Sequence, residues 1–333
     1  MRITLILFLC LAAFTAWSQA GGQKAFEFLQ MSGTARLSGL GGVNISLADR
    51  DINFFSANPA LVSDTLAGFA SVNYQAYLAK TSQTFFSYAR PFRKIGMLSF
   101  GVLHMNYGTL QGYDASGQET GQFKSGETAL LVSRSHQVSN FRLGATVKAV
   151  FSSLAGYRGN ALMMDIGGVF IHPQQDLTVG LALKNLGFMI SEFSETSQSK
   201  MPFDIQVGAT IKPEHMPIRF SLTAFNLAKK ALAYDDPKNA DARPTSLEKI
   251  LSHLNFGAEV LFHRNINLLV GYNYLNHQAL KLSDGGGGAG LSLGFSARIK
   301  SVEFVFSRSG YVAGNAGYSF TLSMNIDKLI TRR

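Results

Sequence analysis

Cysteine is nearly absent from the 333 residues: Cys10 is the only one. It lies in the apolar run "ITLILFLCLAAF", which follows Arg2 and precedes Ser18-Gln19-Ala20. A basic start, a short apolar core and a small-residue end predict a secretory signal over residues 1–20, removed on export. The run is too short for a spanning helix, and "LFLC" lacks the small residues that a lipidated cysteine needs before it. The mature chain is then expected to hold no disulfide, thiolate metal site or cysteine nucleophile. The single tryptophan, Trp17, falls in the same segment, and charged residues make up only 15% of the chain. No later apolar run reaches about 18 residues, so no transmembrane helix is predicted. The net charge is +9, yet no Lys/Arg-dense stretch is interleaved with aromatics as a nucleic-acid surface would be. An exported basic chain more often meets anionic lipid or sugar.

Catalytic and metal-binding patterns are missing too. There is no H-E-x-x-H and no G-x-S-x-G, and the seven histidines are scattered singly. "GLGGVN" lacks the third glycine and the preceding strand of a dinucleotide loop, and "DGGGGAG" lacks the Lys-Ser/Thr of a phosphate loop. Asp49, Asp51 and Asn53 begin like a calcium loop, but Phe54 and Ala60 fall at its sixth and twelfth positions. Asp235 and Asp236 read as a solvated turn. The expectation is a non-enzyme with no cofactor and no bound metal.

What the chain does have is aromatics, 26 Phe and 11 Tyr, and strict alternation. Phe203, Ile205, Val207, Ala209 and Ile211 alternate with Asp204, Gln206, Gly208, Thr210 and Lys212. Tyr318 to Asp327 and Leu291 to Lys300 repeat the pattern. Period two places one set on each face of a sheet. Strands are predicted near 68–78, 81–91, 95–107, 122–135, 141–153, 158–171, 177–187, 203–212, 217–227, 252–263, 265–276, 288–300, 302–309 and 315–327. Many reach the length at which a tilted strand crosses a bilayer. Connections after even strands are short ("SHQVSN", "HR", "IK"), whereas several after odd strands are long ("GTLQGYDASGQETG" and the stretch over 228–253). This parity matches the short periplasmic turns and long outer loops of outer-membrane barrels. The fold class expected is therefore all-β: a 14-stranded antiparallel outer-membrane β-barrel over 67–333. Its N-terminal plug would span 21–66, and both termini would lie in the periplasm. A secreted β-sandwich is the competing architecture.

A barrel of this size encloses a lumen that its own side chains cannot fill. "FFSANPALV" (Phe54 to Val62) suits a filler. Asn58 is placed to cap a short helical turn, Pro59 fits the first position, and Ala60 follows. Gly39, Gly41 and Gly42 would let backbone pack closely. Lys148, Asp204, Lys212, Arg219, Glu259 and Glu303 fall on the polar faces of their strands, to line a channel or to bond one another and the plug. Leu131, Val150, Leu261, Leu269 and Leu275 are apolar exceptions on that face.

"SGTARLSGLGGVNISLADRDINFFSANPAL" resembles the N-terminal hatch of the long-chain fatty-acid transporter superfamily. "NAGYSFTL" resembles the insertion signal of the last strand of such barrels. "EKILSHLNFGAEVLF", "INLLVGYNYLNHQALKL" and "YGTLQGYDASGQETGQF" are similar to the PorV/PorQ family of the type IX secretion system of Bacteroidota, its PorQ branch above all. The resemblance covers essentially the mature chain. It implies an outer-membrane barrel that holds a PorZ-like surface protein, in one complex with PorU and PorV. That complex processes cargo and joins it to anionic lipopolysaccharide. The alternative is a transporter of hydrophobic compounds. The longest outer loop is the candidate partner contact, through Lys230, Tyr234, Asp235, Asp236, Lys238 and Arg243. Its back half, "TSLEKILSH", predicts a short helix capped by Thr245 or Ser246, with Leu247, Ile250, Leu251 and Leu254 packed on the rim.

Overall fold

The computed structural model describes residues 24–229, 232, 245–280, 288–311 and 315–327. Its strands are β1 (Phe69–Ala76), β2 (Ser82–Phe92), β3 (Gly96–Tyr113), β4 (Glu119–Val138), β5 (Phe141–Leu154), β6 (Tyr157–Ile171), β7 (Asp176–Ser191), β8 (Asp204–Lys212), β9 (Ile218–Ala224), β10 (Leu254–His263), β11 (Ile266–Asn273), β12 (Leu291–Ile299), β13 (Val302–Gly310) and β14 (Ala316–Asn325). All fourteen form one closed antiparallel barrel, each strand beside its neighbour in sequence. The seam joins β1 to β14 from Phe69↔Asn325 to Ala76↔Tyr318. Closure removes the unpaired edges that an open sheet would leave.

Alternation runs inside out. In β14, Tyr318, Phe320 and Leu322 are exposed, whereas Ser319, Thr321 and Ser323 are buried. In β8, Val207 and Ile211 face outward, with Gln206 and Thr210 inward. Exposed apolar side chains continue around the wall, from Val72 and Phe86 through Leu130, Val147, Leu181 and Leu222 to Leu268 and Leu293. An apolar outer belt over a polar lumen is what a bilayer selects in a barrel. Among the described residues, no helix is long and apolar enough to cross a membrane.

The space inside is occupied by residues 24–66. This inner segment carries the helix α1 (Ala35–Gly39) and 3-10 turns at Glu27–Gln30, Ile52–Ser56, Pro59–Leu61 and Asp64–Leu66. Short turns suit it, because each ends where the chain must bend to follow the wall. The segment supplies the centres of two buried apolar clusters. Phe28, Leu29, Ile52 and Phe55 meet Phe85, Met105, Leu131 and Val150 of β2–β5. Leu37, Leu40, Ile45 and Phe54 meet Val169, Ala182, Leu269 and Val305 across the lumen. The barrel's hydrophobic core is thus contributed in large part by a segment outside the sheet.

The sequence expectations differ from this architecture in five places. The expected loop over 108–121 is mostly strand: Thr109 pairs with Lys124 and Gly112 with Gly121. A register shift between Asn106 and Thr109 breaks the alternation there. The strand expected over 265–276 stops at Asn273, whose side-chain oxygen accepts a bond from the Asn276 N–H at 3.1 Å and caps the helix α3 (Tyr274–Leu280). β9 stops at Ala224, shortly before Asn226 takes a left-handed conformation with φ 57°. The predicted helix α2 (Ser246–Leu251) forms, with a reciprocal Thr245–Glu248 capping box. Its stripe, however, does not pack on the rim: Leu247 and Ile250 are 65% and 59% exposed. Finally, both termini are expected on one side, but the first described residues and the end of β14 lie at opposite rims. β14 ends at the short-turn rim beside β1, whereas Lys24 bridges Lys200, and Gln30 donates to the Pro202 carbonyl at 3.1 Å, both in the long β7–β8 connection.

Candidate functional site

The inner segment and its seat on β9–β14 form the most elaborate constellation of polar groups among the described residues. Thr34 caps α1 by accepting from the Leu37 N–H, while the Ala35 N–H donates to the Thr321 hydroxyl of β14 at 3.0 Å. After α1 the chain turns through Gly41 and Gly42, at φ 91° and 97°, where a side chain would strain the backbone. Two wall asparagines capture this turn. Asn255 of β10 donates to the carbonyls of Leu40 and Val43, at 2.8 and 2.7 Å, and Asn273 of β11 donates to that of Gly41 at 3.2 Å. Wall glycines make room: a Cβ at Gly271 would overlap the backbone of residues 39–41. Gly39 itself packs on Leu269 and Ser307.

Asn58, Pro59 and Ala60 form the second anchor. The Asn58 side chain accepts from the Ala60 N–H at 2.9 Å, as a cap does, and donates to the Ile45 carbonyl at 2.9 Å. Pro59 opens the turn, and all three residues are buried. They press on β5 and β6, where a Cβ at Gly144 would overlap the Pro59–Ala60 peptide and one at Gly167 the Asn58 oxygen. The hatch residues read from the sequence are therefore brought together with wall glycines and asparagines that the reading missed. Asn255, Glu259 and Asn273 do lie within the stretches "SHLNFGAE" and "GYNY" that carry the family resemblance.

Buried charge completes the seat. Arg36 of α1 donates to Glu259 of β10 at 2.8 Å and to Asp49 at 2.7 Å. Arg219 of β9 reaches the same two acids at 2.8 and 3.0 Å. Asp51 lies 3.9 Å from Arg36. Burial opposes the Arg36 charge, but Glu259, Asp49 and Asp51 outweigh it and hold the guanidinium firmly protonated. Burial also opposes Asp49, yet Arg36 and Arg219 pull its carboxyl well below the usual range. Asp51 is different: burial pushes it up to about 6, against only partial help from Arg36. Of the six wall charges read from the sequence, Arg219 and Glu259 bond the inner segment. Lys148 pairs with Asp165 at 2.6 Å, Lys212 with Asp176 at 3.5 Å and Glu303 with Arg298 at 2.7 Å, while Asp204 accepts from Gln206 at 2.6 Å. Arg219 and Glu259 thus bond each other and the segment, and the other four bond neighbouring wall residues.

Two spaces remain. A cavity of about 50 Å³ lies between the segment and the wall, lined by Gln30, Ser32, Asn44, Lys184, Asp204 and Gln206 among others. Leu29, Met31, Leu37, Phe85, Leu103 and Leu131 line it as well, so its wall is mixed, and its size admits a few waters at most. A pocket of about 740 Å³ is lined by Phe26, Glu27, Tyr107, Glu127, Phe193 and residues 196–199, towards the rim that carries the long connections. The candidate contact residues Lys230, Tyr234, Asp235, Asp236, Lys238 and Arg243, like the expected signal over 1–20, lie outside the described residues.

No family pattern matches the sequence, and no curated protein is significantly similar to it. Solved structures do match. The Ralstonia pickettii toluene transporter TbuX superposes with a TM-score of 0.52 at 12% identity, over 90% of this chain and 99% of its own. The CymD monoaromatic hydrocarbon channel gives 0.51 at 11%, over 89% and 97%. The chain shares the barrel fold of these outer-membrane transporters. At such identities the likeness concerns the fold alone.

Proposed function

We propose that this chain is an outer-membrane barrel whose lumen is closed by its own plug, residues 24–66, and that it anchors a surface partner rather than conducting a solute. The observation that carries this reading is the filled lumen. The apolar inner face of β2–β5, where a hydrophobic ligand would rest, is covered by Phe28, Leu29, Ile52 and Phe55 of the segment. The cavity of about 50 Å³ between these residues and the wall is too small for a long-chain hydrophobic ligand. The partner reading comes from the resemblance to the PorV/PorQ family. A PorZ-like protein would be held at the surface, with PorU and PorV in the same complex and anionic lipopolysaccharide as the acceptor of cargo. Protease and transferase chemistry would belong to PorU and not to the barrel, as the resemblance implies.

One observation favours a second reading, transport of hydrophobic compounds. The pocket of about 740 Å³ carries the rings of Phe26, Tyr107 and Phe193, and it lies in the size range of small-molecule sites. The toluene transporter and the hydrocarbon channel share the fold. One experiment separates the readings. The tagged chain is purified from outer membranes, its companions are identified, and the pure barrel is tested in liposomes for uptake of toluene and a long-chain fatty acid. Anchoring predicts co-purification of a surface protein and no faster uptake than in empty liposomes. Uptake by the pure barrel, with no companion protein, would replace anchoring by transport.

A further inference from the structure

The strands of this barrel are unequal in a way that closure does not require. β3 and β4 span 18 and 20 residues, against 8 for β1 and 11 for β2. β2 stops pairing with β3 at Ser82↔Asn106, and β5 stops pairing with β4 at Gly126↔Ser153. Beyond those points β3 and β4 pair only with each other, from Thr109↔Lys124 to Tyr113↔Glu119. The result is a two-stranded ribbon that rises roughly 15–20 Å past its neighbours at the rim of the long connections. A lone hairpin in water is marginally stable, so a tall one calls for an explanation.

Its two edges are unlike. The β4 edge carries Glu119 and Lys124, and Ser125 near its foot accepts from the Ala155 N–H at 3.1 Å. The β3 edge, "TLQGY" over 109–113, has no charged residue and no proline, two of the devices that keep exposed edges from pairing; register shifts between Asn106 and Thr109 and between Gly112 and Tyr113 leave Thr109–Gly112 as its regular stretch. Among the described residues, no backbone partner lies on its outer side. At its foot Gly108 sits against Lys80 of the β1–β2 connection, and Lys80 is exposed. A strand added here would run antiparallel to β3, directly above Ser82, and its C-terminal end would arrive beside Lys80.

We propose that the β3 edge at Thr109–Tyr113 is a docking edge for an extended segment of a partner protein, paired by β-augmentation, with an acidic group at the end that meets Lys80. The main-chain groups of alternate residues supply the bonds, and the flanking Leu110 and Tyr113, both exposed, supply side-chain contact. This rests on the anchoring reading and names how a partner would be gripped. Because the test below uses pure barrel and synthetic peptide, it can fail while co-purification succeeds, which would leave anchoring standing with a different contact.

The probe is a fluorescent heptapeptide of alternating Thr and Val ending in Asp, titrated onto the full chain in detergent. Support requires binding together with new hydrogen-exchange protection at residues 109–113. The same peptide methylated at alternate backbone nitrogens should bind about tenfold more weakly or worse, because it has lost its donors. A second variant replaces residues 109–124 with an Asn-Gly turn, leaving every neighbouring pairing intact, and should abolish binding. The overturning results are no binding, binding that survives the shortened hairpin, and binding without protection at 109–113. Disulfide-linked dimers of Gln111→Cys formed without peptide would also overturn it, since the occupant would then be a second copy of this chain.

Discussion

Arg36 is the residue on which most of the seat converges. Removing one member of a buried ion cluster leaves the others unpaired in a poorly hydrated site, which costs roughly 3–5 kcal/mol. Arg36→Met should therefore loosen the plug by about that much, read as faster protease trimming of residues 24–63 in the detergent-folded barrel. The double variant Arg36→Met/Glu259→Leu should trim more slowly than Arg36→Met, because the unpaired acid is gone; equal or faster trimming would show that charge is not what seats α1. The acids also set a pH dependence. Asp51, raised to about 6 by burial, binds its proton more tightly in the seated state, so seating should strengthen as pH falls from about 6 to about 4. Asp49 is depressed by Arg36 and Arg219, so its contribution is present above the ordinary carboxylate range and lost only as pH falls below it. Trimming should thus be slowest near pH 4–5. Asp51→Asn should flatten the profile between pH 4 and 6; an unchanged profile would remove Asp51 as its source.

At the scale of the element, the inner segment depends on wall positions without side chains. Gly271→Leu would force α1 and its following turn away from β11 while leaving the strand pairing intact. The expected outcome is a barrel that still migrates as a folded species in unheated gels but is trimmed at the plug at least about tenfold faster; slow trimming would mean that the turn can shift to accommodate the side chain. The strands themselves were legible in the sequence, because an apolar outer belt imposes period two on each of them. The seat was not. The Arg36–Glu259 bond joins positions 223 apart, and no local pattern reports such a pair. Leu131, Val150 and Leu269 broke the polar inner face for a reason visible only once the plug lies on them. The β3–β4 ribbon escaped because a strand outside the bilayer has no buried face to pattern it. α3 escaped because "YNYLNHQAL" fits either period until Asn273 caps it.

The whole molecule is a closed wall around a threaded chain. Deleting residues 24–63 removes the centres of both apolar clusters but no strand, so the barrel should still insert and should conduct ions in planar bilayers where the full chain does not. A silent deletion variant would mean that the lumen closes without the plug. Topology gives a further expectation. In intact cells an impermeant thiol reagent should label Lys24→Cys at the outer rim but not Gln175→Cys in the short β6–β7 turn; the reverse pattern would invert the barrel in the membrane. An epitope at Asn239 should likewise be reached from outside.

The last turn of the inner segment ends at Leu66, and β1 begins at Phe69. Two residues are therefore the entire leash between stopper and wall, a span of no more than about 10 Å. If the seat lets go, the plug cannot diffuse away; it hangs at the short-turn rim at an effective concentration in the millimolar range. Opening such a barrel is then a unimolecular event, independent of how many copies the membrane holds. Each opening carries within itself the means of closing again.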